Sequence, residues 1–73
     1  MSRKHFESVA TSMGLEMRYG AQDEVTQGAY LLMVAKVGQA FREGNPRFDF
    51  DRFLGWVLEV ARGERDAEGR KVA

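Results

Sequence analysis

The stretch Asn45–Phe53, Asn-Pro-Arg-Phe-Asp-Phe-Asp-Arg-Phe, constrains this chain more than any other. Pro46 has no N–H and disfavours helical geometry at Asn45, so a helix arriving from upstream ends near Gly44 or Asn45. Asp49 is a good N-cap, because its carboxylate accepts from the free N–H groups of the turn that follows. Phe48 precedes that cap and Phe53 occupies the fourth helical position, the spacing of a hydrophobic staple. The stretch therefore specifies a helix, a stiff turn and a second helix. It specifies no chemistry.

Helical periodicity runs through three segments, and no segment alternates as a strand does. In the first, Phe6, Val9, Ala10, Met13 and Met17 share a face; Ser2 is a plausible N-cap and Met1 is placed to staple onto Phe6. Two ends are open to this helix: a stop at Gly14 with Leu15 folding back, or continuation to Arg18 or Tyr19 with Gly20 as the stop. Met17 continues the stripe and favours the longer form. The second helix begins at Asp23 and carries Tyr30, Met33, Val34, Val37, Ala40 and Phe41, with Leu31 and Leu32 off that stripe. A helix apolar nearly all round is usually buried on several sides, so this one is expected at the centre. Gly28 and Gly38 weaken it, and either is a candidate for close backbone approach. The third helix presents Phe50, Phe53, Leu54, Val57, Val60 and Ala61, with Trp56 and Leu58 on the edges and Gly63 as the stop.

The expected fold is thus all-α: a small three-helix domain over residues 1–62, with helices near Ser2–Arg18, Asp23–Glu43 and Asp49–Arg62. Its expected core is Phe6, Val9, Met13, Met33, Val37, Phe41, Phe48, Phe53, Leu54 and Val57. After the third helix the chain has one large apolar residue, Val72, among dense mixed charge. Such a segment buries too little to offset its ordering, so residues 63–73 are expected to form a disordered, flexible tail.

Charge and composition narrow the function classes. Eleven basic residues balance 11 acidic ones, so no global field draws the chain to nucleic acid or to an anionic membrane. With no cysteine, neither a disulfide nor a thiolate metal site is available. The basic pair Arg3-Lys4 is not followed by an apolar core, so no signal peptide is expected. The longest apolar run, Ala29–Ala35, is too short to span a bilayer. The expected location is the cytoplasm.

The opening Arg3-Lys4-His5-Phe6-Glu7-Ser8-Val9-Ala10, taken with Asn45-Pro46-Arg47-Phe48-Asp49 and Arg52-Phe53-Leu54, resembles a widespread group of very small phage and prophage proteins of unknown function. Members open with Arg-x-Asp-Phe-x-x-Ile-Ala and share the joint Asn-Pro-Arg-Phe-Asp-x-x-Arg-Phe. Here His5 stands where an acid is common, the chain runs further past the third helix, and the middle is unmatched. The resemblance implies a phage-type or mobile-element origin, a host-cell cytoplasm as the site of action, and no catalytic residue.

The residues themselves offer little catalytic equipment. His5 is the only histidine and stands alone at a helix start, without the partners an acid–base site needs. Asp49 and Asp51 are two apart, but a cap and a favourable first-turn acid account for both, and no further oxygen cluster makes a metal site. No cofactor motif is present. Binding remains. Leu31, Leu32 and Trp56 are large apolar side chains off the core stripes, and they make the chain a candidate for contact with another protein or with a second copy. The alternative is a helix-turn-helix-like DNA-binding regulator contacting phosphates through Arg42, Arg47 and Arg52. Against it stand the neutral charge, the long turn around Pro46 and two acids on the outer face of the third helix.

Overall fold

The computed structural model of the chain describes residues 2–72. Three helices follow one another: α1 Arg3–Gly20, α2 Glu24–Gly44 and α3 Phe50–Ala61. Among the described residues no strand forms, and the one β-type pairing is an isolated bridge between Arg65 and Lys71.

Each helix starts on the residue the sequence offers for it. Asp23 accepts from the Thr26 N–H at 2.7 Å, and Asp49 accepts from the Arg52 N–H at 3.0 Å. At α1 the Ser2 N–H donates to His5 Nδ1 at 3.2 Å, while the His5 N–H donates to the Ser2 carbonyl at 3.0 Å. His5 thus supplies the return bond that a Glu or Gln usually makes in a capping box. The expected staple of Met1 on Phe6 lies outside the described residues. At the joint, Asn45 Oδ1 accepts from the Arg47 N–H at 3.1 Å and the Asn45 carbonyl accepts from the Phe48 N–H at 2.9 Å, closing the turn around Pro46. The ring centroids of Phe48 and Phe53 lie 5.4 Å apart, which is the expected staple.

The longer form of α1 is the one that exists, and Gly14 has another use than ending it. A Cβ at Gly14 would stand 2.5 Å from the Val60 Cβ and 2.7 Å from the Val57 carbonyl oxygen. The missing side chain is what lets α1 lie against α3. Gly38 does the same for α2, since a Cβ there would meet the Phe50 ring at 2.7 Å, whereas Gly28 faces open space.

Around these crossings Ala10, Val34, Phe48, Phe53 and Val57 are buried, with Phe6, Val9, Met13, Val37, Phe41 and Leu54 packed against them. Four phenylalanines from four different segments (Phe6, Phe41, Phe48 and Phe53) meet with centroids between 4.6 and 5.7 Å apart. Edge-to-face and tilted arrangements of this kind add attraction beyond the area they bury.

Two expectations fail, for one reason. α2 is not the central element: α1 packs most extensively on α3, and α2 lies to one side, against α3 more than α1. A helix outside the main pair buries a single stripe, here Val34 and Gly38. Met33, expected in the core, is therefore 66% exposed, while its neighbour Val34 is 1% exposed.

The segment after α3 also departs from expectation. Residues 63–72 fold back over α3 and α1 instead of trailing away. The Val72 N–H donates to the Glu64 carbonyl at 3.0 Å, and the Asp66 N–H donates to the Arg70 carbonyl at 2.9 Å. Gly69 is buried with φ +82°, a conformation that favours glycine, and a Cβ there would stand 2.9 Å from the Trp56 ring. Apolar burial was too small to order this segment, but hydrogen bonds and ion pairs to α3 place it.

Loss of the joint's two anchors is expected to be felt unequally. Phe53→Ala should cost about 3–5 kcal/mol, since the ring is buried. Asp49→Ala should cost about 0.5–2 kcal/mol, the worth of a cap. Urea denaturation measures both, and midpoints equal to the parent's would mean that the joint does not organise the fold.

Candidate functional site

The two sets of candidate residues do not stay apart as two sites. Trp56, Arg47 and Arg52 come together on one side of the molecule, while Leu31 and Leu32 remain on α2.

On the joint side, a groove of about 320 Å³ opens between the first turns of α1 and α3 and the Asn45–Asp49 turn. Its floor is Phe6, Ala10, Phe48, Phe53 and Trp56, brought there by the staple and the phenylalanine cluster. Its rim carries three arginines, Arg3, Arg47 and Arg52, against two carboxylates, Glu7 and Asp49. Glu7 reaches both Arg3, at 3.6 Å, and Arg52, at 3.4 Å. Asp49 is the cap of α3. The Arg47 side chain makes no ion pair or hydrogen bond among the described residues. Arg42 does not join them; its guanidinium lies 5.7 Å from the Phe50 ring centroid, outside the groove. Arg3, Phe6 and Glu7 are not among the candidate site residues that the sequence offers, although Phe6 is expected in the core. The signal for them was the first turn of α1, which begins Arg3-Lys4 and contains no acid, the reverse of what a helix N-terminus favours.

Trp56 is half-buried and does not stand out as a free anchor. Its indole N–H donates to Thr11 Oγ1 at 2.8 Å, and the Arg65 guanidinium lies 3.6 Å from its ring centroid. Thr11 in turn donates to the Glu7 carbonyl at 2.8 Å. Arg65 is fixed on both sides, by Glu59 at 2.9 Å and by the Gly69 carbonyl at 2.7 Å. Lys71 completes the strap on the other oxygen of Glu59. The folded-back segment thus covers one face of the indole, in cation–π geometry.

On α2 the outer face has nothing against it. Leu32 is 66% exposed and Val25 85% exposed, with Met33 beside them, while Leu31 is half-buried. No helix among the described residues is long and apolar enough to cross a membrane, and no group of three or more His, Cys, Asp or Glu side chains could hold a metal ion. His5 Nδ1 is taken up by the start of α1.

No family model, curated protein or solved structure matches the chain.

Acidification tests the strap. Hydrogen bonds from Lys71 first, then Arg65, hold the Glu59 carboxyl below the usual carboxylate range. A folded value below the unfolded one means that the contact stabilises docking above about pH 4.3 and fades as pH falls below it. Trp56 is the single tryptophan and reports the change. Its emission is expected to shift to the red in that acid window, and Glu59→Gln should produce the same shift at neutral pH. Emission unchanged in both cases would show that Glu59 does not hold the strap.

Proposed function

We propose that this is a non-catalytic protein that acts by protein–protein association through the outer face of α2. One observation carries the proposal: Val25, Leu32 and Met33 form an apolar stripe, mostly exposed, on a helix that packs on one side only. Burying such side chains against a partner gains about 25 cal/mol per Å² removed from water. The partner most simply matched to the face is a second copy. α2 begins at its Asp23 cap with Glu24 and carries Lys36 past its middle, while Arg42 lies over Phe50 beside Glu43 and adds nothing to the outer face. Laid antiparallel, two such helices bring Asp23 and Glu24 of one toward Lys36 of the other and oppose their dipoles. The balanced charge of the chain adds no net repulsion between copies.

The phage-type origin implied by the joint belongs to the same proposal, with the host-cell cytoplasm as the location and a host or phage protein as the other possible occupant of the face. Support for the DNA-binding alternative is weaker. Of its three arginines, Arg52 is shared with Glu7 and Arg42 lies over Phe50, so they do not form an open row facing one way.

Sedimentation over a micromolar to millimolar range distinguishes the outcomes. The parent's mass is expected to rise with concentration, and Leu32→Glu or Met33→Glu should stay monomeric with unchanged helicity. A parent that remains monomeric throughout would remove the second copy as the occupant.

A further inference from the structure

We infer that the groove at the joint binds an acidic peptide segment bearing a large apolar side chain, with the side chain on the aromatic floor and a flanking carboxylate on Arg47 and Arg3. This site lies apart from the α2 face and does not depend on it.

Size and lining set the apolar half of the ligand. At about 320 Å³ the groove is at the small end of ligand clefts, enough for one phenylalanine- or leucine-sized side chain and its backbone. Phe48 and Phe53 are nearly closed off and form a fixed bottom, while half-buried Phe6 and Trp56 complete the aromatic lining, with the Arg52 guanidinium 6.0 Å from the indole centroid. The floor is therefore already formed in the free protein and needs little reorganisation to accept an apolar group.

The rim sets the polar half. Arg3 and Arg52 share the single carboxylate of Glu7 at 3.6 and 3.4 Å, long distances that leave most of their N–H donors unused. Arg47 is exposed on the turn and its guanidinium has no partner among the described residues. The N-terminal end of α1 adds the positive pole of a helix already loaded with Arg3 and Lys4 and lacking any first-turn acid. That arrangement costs α1 stability, and it leaves the rim with an excess of positive side chains, three arginines against two carboxylates. Departures from local preference of this kind mark functional sites, and an anionic ligand relieves this one.

The same geometry disfavours nucleic acid. Glu7 and Asp49 stand among the arginines and would meet a run of phosphates at every step. Stacking consecutive bases needs open aromatic faces, but Arg65 already covers one face of Trp56, and Phe48 and Phe53 are buried. A short acidic peptide presents no continuous run of charges past Glu7 and Asp49, and its one apolar arm needs no stack of open aromatic faces.

The test titrates blocked tripeptides into the full chain, read by Trp56 emission and by amide chemical shifts. Acetyl-Asp-Phe-Asp-amide is expected to saturate at millimolar concentration or below, with shifts confined to the first turns of α1 and α3 and the Asn45–Asp49 turn. Acetyl-Asn-Phe-Asn-amide, which keeps the arm and loses the charge, should bind roughly tenfold more weakly. Acetyl-Asp-Ala-Asp-amide should not saturate. Arg47→Gln, an exposed turn position whose backbone bonds are untouched, should lower the affinity of the acidic peptide to that of the amide peptide. Equal binding of the two phenylalanine peptides, or full binding by Arg47→Gln, would overturn the assignment. So would an oligothymidylate that binds more tightly than any peptide and loses that binding in Arg47→Gln. Leu32→Glu should leave the titration unchanged, so failure of self-association and failure of this site are separate results.

Discussion

The structure depends on four phenylalanine rings that come from four places in the chain. Phe6 is near the start of α1, Phe41 is on the last turns of α2, Phe48 is in the turn and Phe53 is on α3, and each ring touches at least two of the others. In a domain this small, surface is large relative to volume and a long apolar core cannot form. A compact aromatic cluster is the efficient solution, because each ring buries much area while losing few rotamers. It also fixes where the helices start and stop, since the turn around Pro46 is held by the ring it contributes.

With the cluster at one end, the rest of the packing follows from where side chains are absent. Gly14 lets α1 sit directly on Val57 and Val60 of α3, and Gly38 lets Phe50 of α3 press into α2. The α1–α3 contact is the most extensive of the three, and α2 is left with one buried stripe and one bare side. The exposed Leu32 and Met33 are thus a consequence of how the other two helices meet. The groove has the same origin: the first turn of α1 ends beside the turn and does not cover it, so aromatic floor and arginine rim share one opening.

What was legible in the sequence was local. The Asn45–Phe53 joint could be read almost atom by atom because cap, staple and proline act within a few residues. The three helices were legible from their periodicity, and most of the core from their stripes. Met33 and Val34 were not separable, because a helix that is apolar nearly all round gives no phase for its buried side. The rank order of the helix pairs was equally hidden, since it turns on Gly14, which reads locally as a stop. Residues 63–72 were misjudged by counting apolar residues, when Arg65, Lys71 and Glu59 dock them by charge and hydrogen bonding. The groove joins residues 45 apart in the chain, Glu7 and Arg52, and no short-range pattern announces such a pair. The basic first turn of α1 was the one visible trace of it.

The uneven packing has a kinetic side. α1 and α3 are locked through Gly14, and the strap ties both again through Thr11, Trp56 and Gly69, so these two helices open together or not at all. α2 is held along one stripe and carries in its first half Gly28, which has nothing within 4 Å of where a side chain would stand. Opening free energies vary within a domain according to how much buried contact each unit makes. Amide protons in the first half of α2 should therefore exchange with solvent through a local opening that leaves α1, the joint and α3 protected. The helix with the bare apolar face is also the helix that comes loose first, so covering that face would slow exchange along its length.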